Sequence, residues 1–128
     1  MVKTPSCLWR RTGEIFKANG EFAALVGVNL DWFRDGRVGI YELMKEDSAV
    51  NFWEQYFQVG FDRSRKAVLT TCTLLPPPRL LVPPGKRPSY SKPPRKRAEI
   101  PCCFSFTVQR DSWGVPVVVM GQFMGIAI

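Results

Sequence analysis

Eight of the eleven prolines in this 128-residue chain fall between residues 76 and 98. Proline fixes φ and lacks a backbone N–H, so a stretch this dense cannot keep a helix or central strand hydrogen-bonded. Residues 76–98 therefore read as an extended, polyproline-II-like and disordered insertion. The folded domain, expected over residues 7–128, has to be built from the blocks on either side.

The same segment carries the charge. From Leu75 to Ala98 there are seven basic residues and no acid, while the rest of the chain holds 11 basic and 11 acidic residues. The net charge of +7 thus belongs to one segment attached to a neutral domain. A neutral domain offers no basic face to nucleic acid. At 45% hydrophobic content the chain is long enough for one core. Its first residues lack the apolar run of a signal peptide. The apolar C-terminal stretch VPVVVMGQFMGIAI is shorter than the run of about 20 residues that spans a bilayer. A soluble, intracellular protein is expected.

Hydrophobic periodicity orders the elements. Leu8–Arg11 and Glu14–Lys17 flank Thr12-Gly13 as a hairpin. Asn19 is positioned to cap a helix with Phe22, Leu25 and Val26 on one face and Gly27 as its stop. Leu30–Arg34 forms a short helical piece that offers Trp32 and Phe33 to the core. A turn around Ile40, Leu43 and Met44 leads to a longer helix capped by Asp47 or Ser48, on which Val50, Trp53 and Phe57 share a face. Ala67–Leu75 is rich in β-branched residues and reads as a strand. In IPCCFSFTVQR, Cys102, Phe104, Phe106 and Val108 alternate with Cys103, Ser105, Thr107 and Gln109. The last strand, VPVVVMGQFMGIAI, is apolar at both parities, which places it centrally in its sheet with something covering its outer face. Runs of strands and runs of helices, rather than alternation, argue α+β with an antiparallel sheet. An insertion between the third and fourth strands is tolerable. Growing a loop from about six to 24 residues costs roughly 1.2 kcal/mol, below the ~1.5–3 kcal/mol from burying one large apolar side chain.

The stretch GEIFKANGEFAALVG, with Gly13, Ile15, Asn19, Phe22, Leu25 and Gly27 in register, resembles the start of a PAS domain. Three further stretches are more specific: LWRRTGEI (8–15), IYELMKEDSAV (40–50) and IPCCFSFTVQRD with PVVVMGQF (100–123). They resemble the C-terminal PAS region of the fungal zinc-cluster transcription activators of gluconeogenesis. The resemblance implies a five-stranded antiparallel sheet with short helices on one face. It also implies a regulatory or dimerisation role in controlling gluconeogenesis and non-fermentable carbon use. Family members bind DNA through a zinc cluster of six closely spaced cysteines. Here Cys7, Cys72, Cys102 and Cys103 are scattered without a CxxC pair. Zinc and DNA binding therefore map to no residue of this chain.

Enzymatic activity is not expected. The chain has no histidine, which removes the commonest general base and metal ligand. Its acids are spread along the elements without pairing, and no glycine-rich phosphate loop occurs. Phe22, Leu25, Trp53, Phe104 and Phe106 are candidates for a pocket or core between sheet and helices. No cofactor is expected; the alternative to a regulatory module is a stand-alone ligand-sensing PAS protein outside transcription. Val117, Val118, Val119 and Met120 on the doubly apolar last strand are candidates for an interface with a protein partner or a second copy. In KRPSYSKPPRKR, Lys86, Arg87, Lys92, Arg95, Lys96 and Arg97 form a candidate nuclear-import signal for an importer's acidic grooves, implying a nuclear location. The serines Ser89 and Ser91 would weaken it if phosphorylated, each adding roughly −1.5 to −2 of charge.

Overall fold

The computed structural model describes residues 4–61, 67–85, 99–113 and 116–126. Strands β1 (Ser6–Arg10) and β2 (Ile15–Ala18) form the expected hairpin. Gly13 turns it at φ +100°, with its N–H donating to Arg10 O at 2.7 Å. A side chain here would be excluded twice, by that φ and by the Tyr41 ring, 2.7 Å from where a Cβ would lie.

Helix α1 (Gly20–Val26) follows at once, and Asn19 explains why. Its Oδ1 accepts from Phe22 N at 2.9 Å and from Ser6 N at 3.1 Å, while Nδ2 donates to Thr4 O at 2.8 Å. One side chain thus caps the helix and fastens it to β1. Gly27, in the left-handed region, ends it. A 3₁₀ turn at Leu30–Phe33 and the short α2 (Ile40–Leu43) follow, burying Phe33, Ile40 and Leu43.

Helix α3 (Glu46–Phe61) begins one residue before the expected cap, with Ala49 N donating to Lys45 O. The Ser48 hydroxyl is used elsewhere: it accepts from Thr73 N at 2.8 Å and holds the helix start against the next strand. The helix also faces the other way from the expectation. Val50, Trp53 and Phe57 do share a face, but each is more than half exposed. Phe52 is the buried residue, with Ala49 and Tyr56 beside it.

The remaining strands are β3 (Ala67–Leu74), β4 (Ile100–Arg110) and β5 (Pro116–Gly125). All pairings are antiparallel, in the order β2-β1-β5-β4-β3. The doubly apolar strand is therefore the central one. The core lies between one face of this sheet and the helices. It is built on Trp9, Ile15, Phe22, Phe52, Phe104, Phe106 and Phe123, all at 1% exposure or less. Trp9 lies across the central strand because Gly121 makes room: a Cβ there would be 2.5 Å from its ring.

The expectation of a disordered insertion over 76–98 fails for its first ten residues. Pro76 is buried, and a 3₁₀ turn at Pro78–Leu81 drives Leu80 fully into the core. Val82 O accepts from Trp32 Nε1 at 2.6 Å, and Arg79 pairs with Glu42 at 2.7 Å while stacking over the Trp32 ring. Proline does not prevent this, because a 3₁₀ turn tolerates it at the first position, where no N–H is required. Residues 86–98 lie outside the described residues. No helix among the described residues is long and apolar enough to cross a membrane.

Candidate functional site

The five strands separate two environments. On the inner face Phe22 packs on Phe123 at 5.1 Å between ring centroids, Phe123 stacks on Phe104 at 5.0 Å, and Phe52 meets Phe106 edge-on at 5.1 Å. Of the pocket candidates, Phe22, Phe104 and Phe106 are thus brought together, with Leu25 half-buried at their margin. Their rings are packed on one another, each pair adding about 0.5–1.5 kcal/mol beyond burial. Trp53 does not belong to this group. It lies on the solvent side of α3 at 51% exposure, since the helix turned Phe52 inward instead.

The outer face carries the other parity of each strand. On β5 these are Val118, Met120, Gln122 and Met124. Registers place Met120 between Leu8 of β1 and Thr107 of β4, and Gln122 between Ser6 and Ser105. Met124 lies beside Cys103, which pairs with Thr71 of β3, and Leu69 lies beside Ser105. Leu69 is 74% exposed and Met124 67%. Val118 and Met120 are half-buried on this face.

The interface candidates therefore divide. Val118 and Met120 belong to the outer face. Val119 belongs to the core at 1% exposure, where it cannot meet a partner without unfolding. Val117 has inward parity, yet it lies near the strand's start and is largely exposed. Leu69 and Met124 were not singled out by sequence. Their signal was the parity of β3 and β4, which fixes the face once the buried set Cys72, Leu74, Cys102, Phe104 and Phe106 is known.

From β3 to β5 the outer face is neutral as well as apolar, while Arg10 and Lys17 lie on its β1–β2 end. Across β3, β4 and the paired part of β5 it presents Leu69, Thr71, Cys103, Ser105, Thr107, Val118, Met120, Gln122 and Met124, with no charged side chain. Charge gathers at one end of the sheet, where Arg10 stacks over Phe16 at 5.5 Å and Arg11 and Asp111 line a shallow hollow. Lys86, Arg87, Lys92, Arg95, Lys96 and Arg97 lie outside the described residues. Among the described residues no cluster of acids or cysteines has the arrangement of a metal site.

A family model described as the ERT1/acuK family PAS domain matches residues 4–95. The regulator of drug sensitivity 2 of Saccharomyces cerevisiae is 47% identical over 98% of this chain and 24% of its own length. The zinc cluster transcription factor acuM of Aspergillus fumigatus is 45% identical over 84% of this chain and 15% of its own. The transcription activator of gluconeogenesis ERT1 of Mycosarcoma maydis is 35% identical over 96% of this chain and 14% of its own. The chain thus spans a quarter or less of the length of these curated relatives. Among solved structures, a PAS domain of Colwellia psychrerythraea superposes with a TM-score of 0.71 at 9% identity, covering 98% of this chain and 87% of that one. The Cycle PAS-B domain of Drosophila melanogaster gives 0.67 at 8% identity, covering 95% and 99%. At such identities these two establish the fold alone.

Proposed function

Because the chain belongs to the ERT1/acuK family of PAS domains, we propose that it is the regulatory and self-association domain of a nuclear transcription activator of gluconeogenesis, working through the outer face of its sheet. The observation that carries this reading is the neutral, exposed apolar face around Met120, Met124 and Leu69. A second copy is the occupant it suits best. A two-fold contact brings the same patch against itself, which a charged face would resist and a neutral one does not. The three strands β3, β4 and β5, of 8, 11 and 10 residues and about 4.8 Å apart, make a neutral face of about 450–500 Å², which suits a weak, concentration-dependent contact rather than the ~800 Å² per partner of a standard interface.

The metabolic role is carried over from the relatives' names, and DNA contact would come from a zinc cluster elsewhere in such a protein. The domain's own part requires neither catalysis nor a cofactor. Phe22, Phe104, Phe106 and Phe123 are buried against one another as core, which gives a stand-alone ligand sensor less support. The basic residues 86–97 would serve a nuclear importer.

The test exchanges this chain for the matching region of the Mycosarcoma maydis activator of gluconeogenesis and reads growth on a carbon source that requires gluconeogenesis. The wild-type exchange should support growth, and Leu69→Lys with Met124→Lys should abolish it at equal protein level. Equal growth with and without the two lysines would refute the assignment of the outer face.

A further inference from the structure

Cys72 and Cys102 are direct partners across β3 and β4, and both side chains point inward. Residues directly opposite in an antiparallel pair have Cα atoms about 4.5–5.5 Å apart, within the ~4.4–6.8 Å that a disulfide spans. Both residues line an open hollow of about 500 Å³ beside the start of α3, with Ser48, Asn51 and Ile126 on its walls. Cys72 keeps 5% of its surface exposed and Cys102 none, so the open hollow is the route by which a molecule as small as peroxide reaches them. The pair lies where β3 ends and β4 begins, at the margin of the sheet rather than its middle. The other two thiols are differently placed. Cys103 faces the opposite side of β4, and Cys7 is on β1 with the whole of β5 between. A Cys102–Cys103 link would break the extended backbone of the strand.

We infer that Cys72 and Cys102 form a dithiol that a hydroperoxide converts, reversibly, into a cross-strand disulfide. The two thiols are unequal. The hydrogen bond between them, and then burial, push the Cys72 thiol up, while the same hydrogen bond holds Cys102 down against its own burial. The hollow that both residues line gives a small peroxide its way to the pair, and Cys102, the thiol held down, is the attacking group once it has lost its proton. Its sulfur displaces hydroxide from hydrogen peroxide, giving a sulfenic acid. The Cys72 sulfur then attacks that sulfur, and the sulfenyl oxygen leaves as water with the Cys72 proton. Two thiols and one peroxide give one disulfide and two waters. Each sulfur gives up one electron and the peroxide takes two. The link would tie β3 to β4 at the base of residues 73–101, the connection that carries the basic segment.

The 128-residue chain is titrated with hydrogen peroxide, and intact mass and linked peptides are read. The expected result is a loss of about 2 Da, a drop from four free thiols to two, and a single linked pair, Cys72 with Cys102. Reduction by glutathione should restore all four. A Cys7→Ser, Cys103→Ser variant should lose the same mass at the same peroxide concentration within twofold. Four unreacted thiols, oxygen addition to Cys102 without a link, or a link through Cys7 or Cys103 would each overturn the inference. The measurement on the wild-type chain decides even where a variant fails to fold.

Discussion

Leu80 and Leu81 are adjacent leucines in a proline-rich stretch, and only one is in the core. Leu80 is fully buried and Leu81 is 54% exposed. Replacing Leu80 by alanine removes three carbons from a closed environment, about 0.8 kcal/mol each by transfer alone. The cavity left behind brings the cost to about 2–5 kcal/mol. Against a typical domain stability of about 5–15 kcal/mol, this is a large fraction. At about 3–5 °C per kcal/mol for a domain near this size, Tm should fall by roughly 6–25 °C. Leu81→Ala should change stability by about 0.5 kcal/mol or less. Urea unfolding followed by tryptophan fluorescence measures both, and replacing residues 86–98 by a short Gly-Ser linker supplies the contrast. That replacement should leave Tm within a few degrees of wild type in a thermal melt. If Leu80→Ala matched Leu81→Ala, residues 76–85 would be no part of the folded domain.

Other outcomes follow from the same packing. Phe52→Ala should cost about 3–5 kcal/mol and Trp53→Ala about 1 kcal/mol or less, reversing the order their sizes suggest; chemical denaturation compares them directly. Gly121→Ala should lower stability by about 1–3 kcal/mol, because the new methyl meets the Trp9 ring, and near-UV dichroism should report the displaced indole. Asn19→Ala should cost about 1–2 kcal/mol and speed amide exchange in both α1 and the start of β1, since one side chain serves both. Changing Arg95, Lys96 and Arg97 together to alanine should move a large fluorescent fusion from nucleus to cytoplasm; continued nuclear accumulation would reject the import signal.

Much of the fold could be read from local chemistry. Asn19 and Gly27 bound α1 because capping is a local matter, and the Thr12-Gly13 turn is fixed by one φ. The central place of β5 followed from apolar residues at both parities. The rotation of α3 could not be read in this way. Ala49, Phe52 and Tyr56 have the same helical spacing as Val50, Trp53 and Phe57, and both sets are apolar. What decides between them is tertiary: Ser48 and Asn51 bond to Thr73 and Thr70, turning Phe52 toward Trp9, Phe104 and Phe106. The strap at 76–85 was hidden for a related reason. Proline density reports what the backbone cannot do, and gives no sign that Leu80 is fully buried or that its carbonyl accepts from Asn29 N. The interface candidates Val117–Met120 divide between the two faces of the sheet, because alternation identifies two faces without saying which one the helices cover.

Sedimentation velocity of the 128-residue chain over about 1–100 μM, with and without Leu69→Lys and Met124→Lys, tests the outer-face assignment most directly. Both residues are exposed in the isolated domain, so far-UV dichroism and Tm should stay near wild type. The predicted result is a wild-type dimer within that range and a monomeric double variant with a native spectrum. A wild type that stays monomeric throughout, or a variant that dimerises as strongly as wild type, would contradict the claim that this sheet face is where the domain meets its second copy.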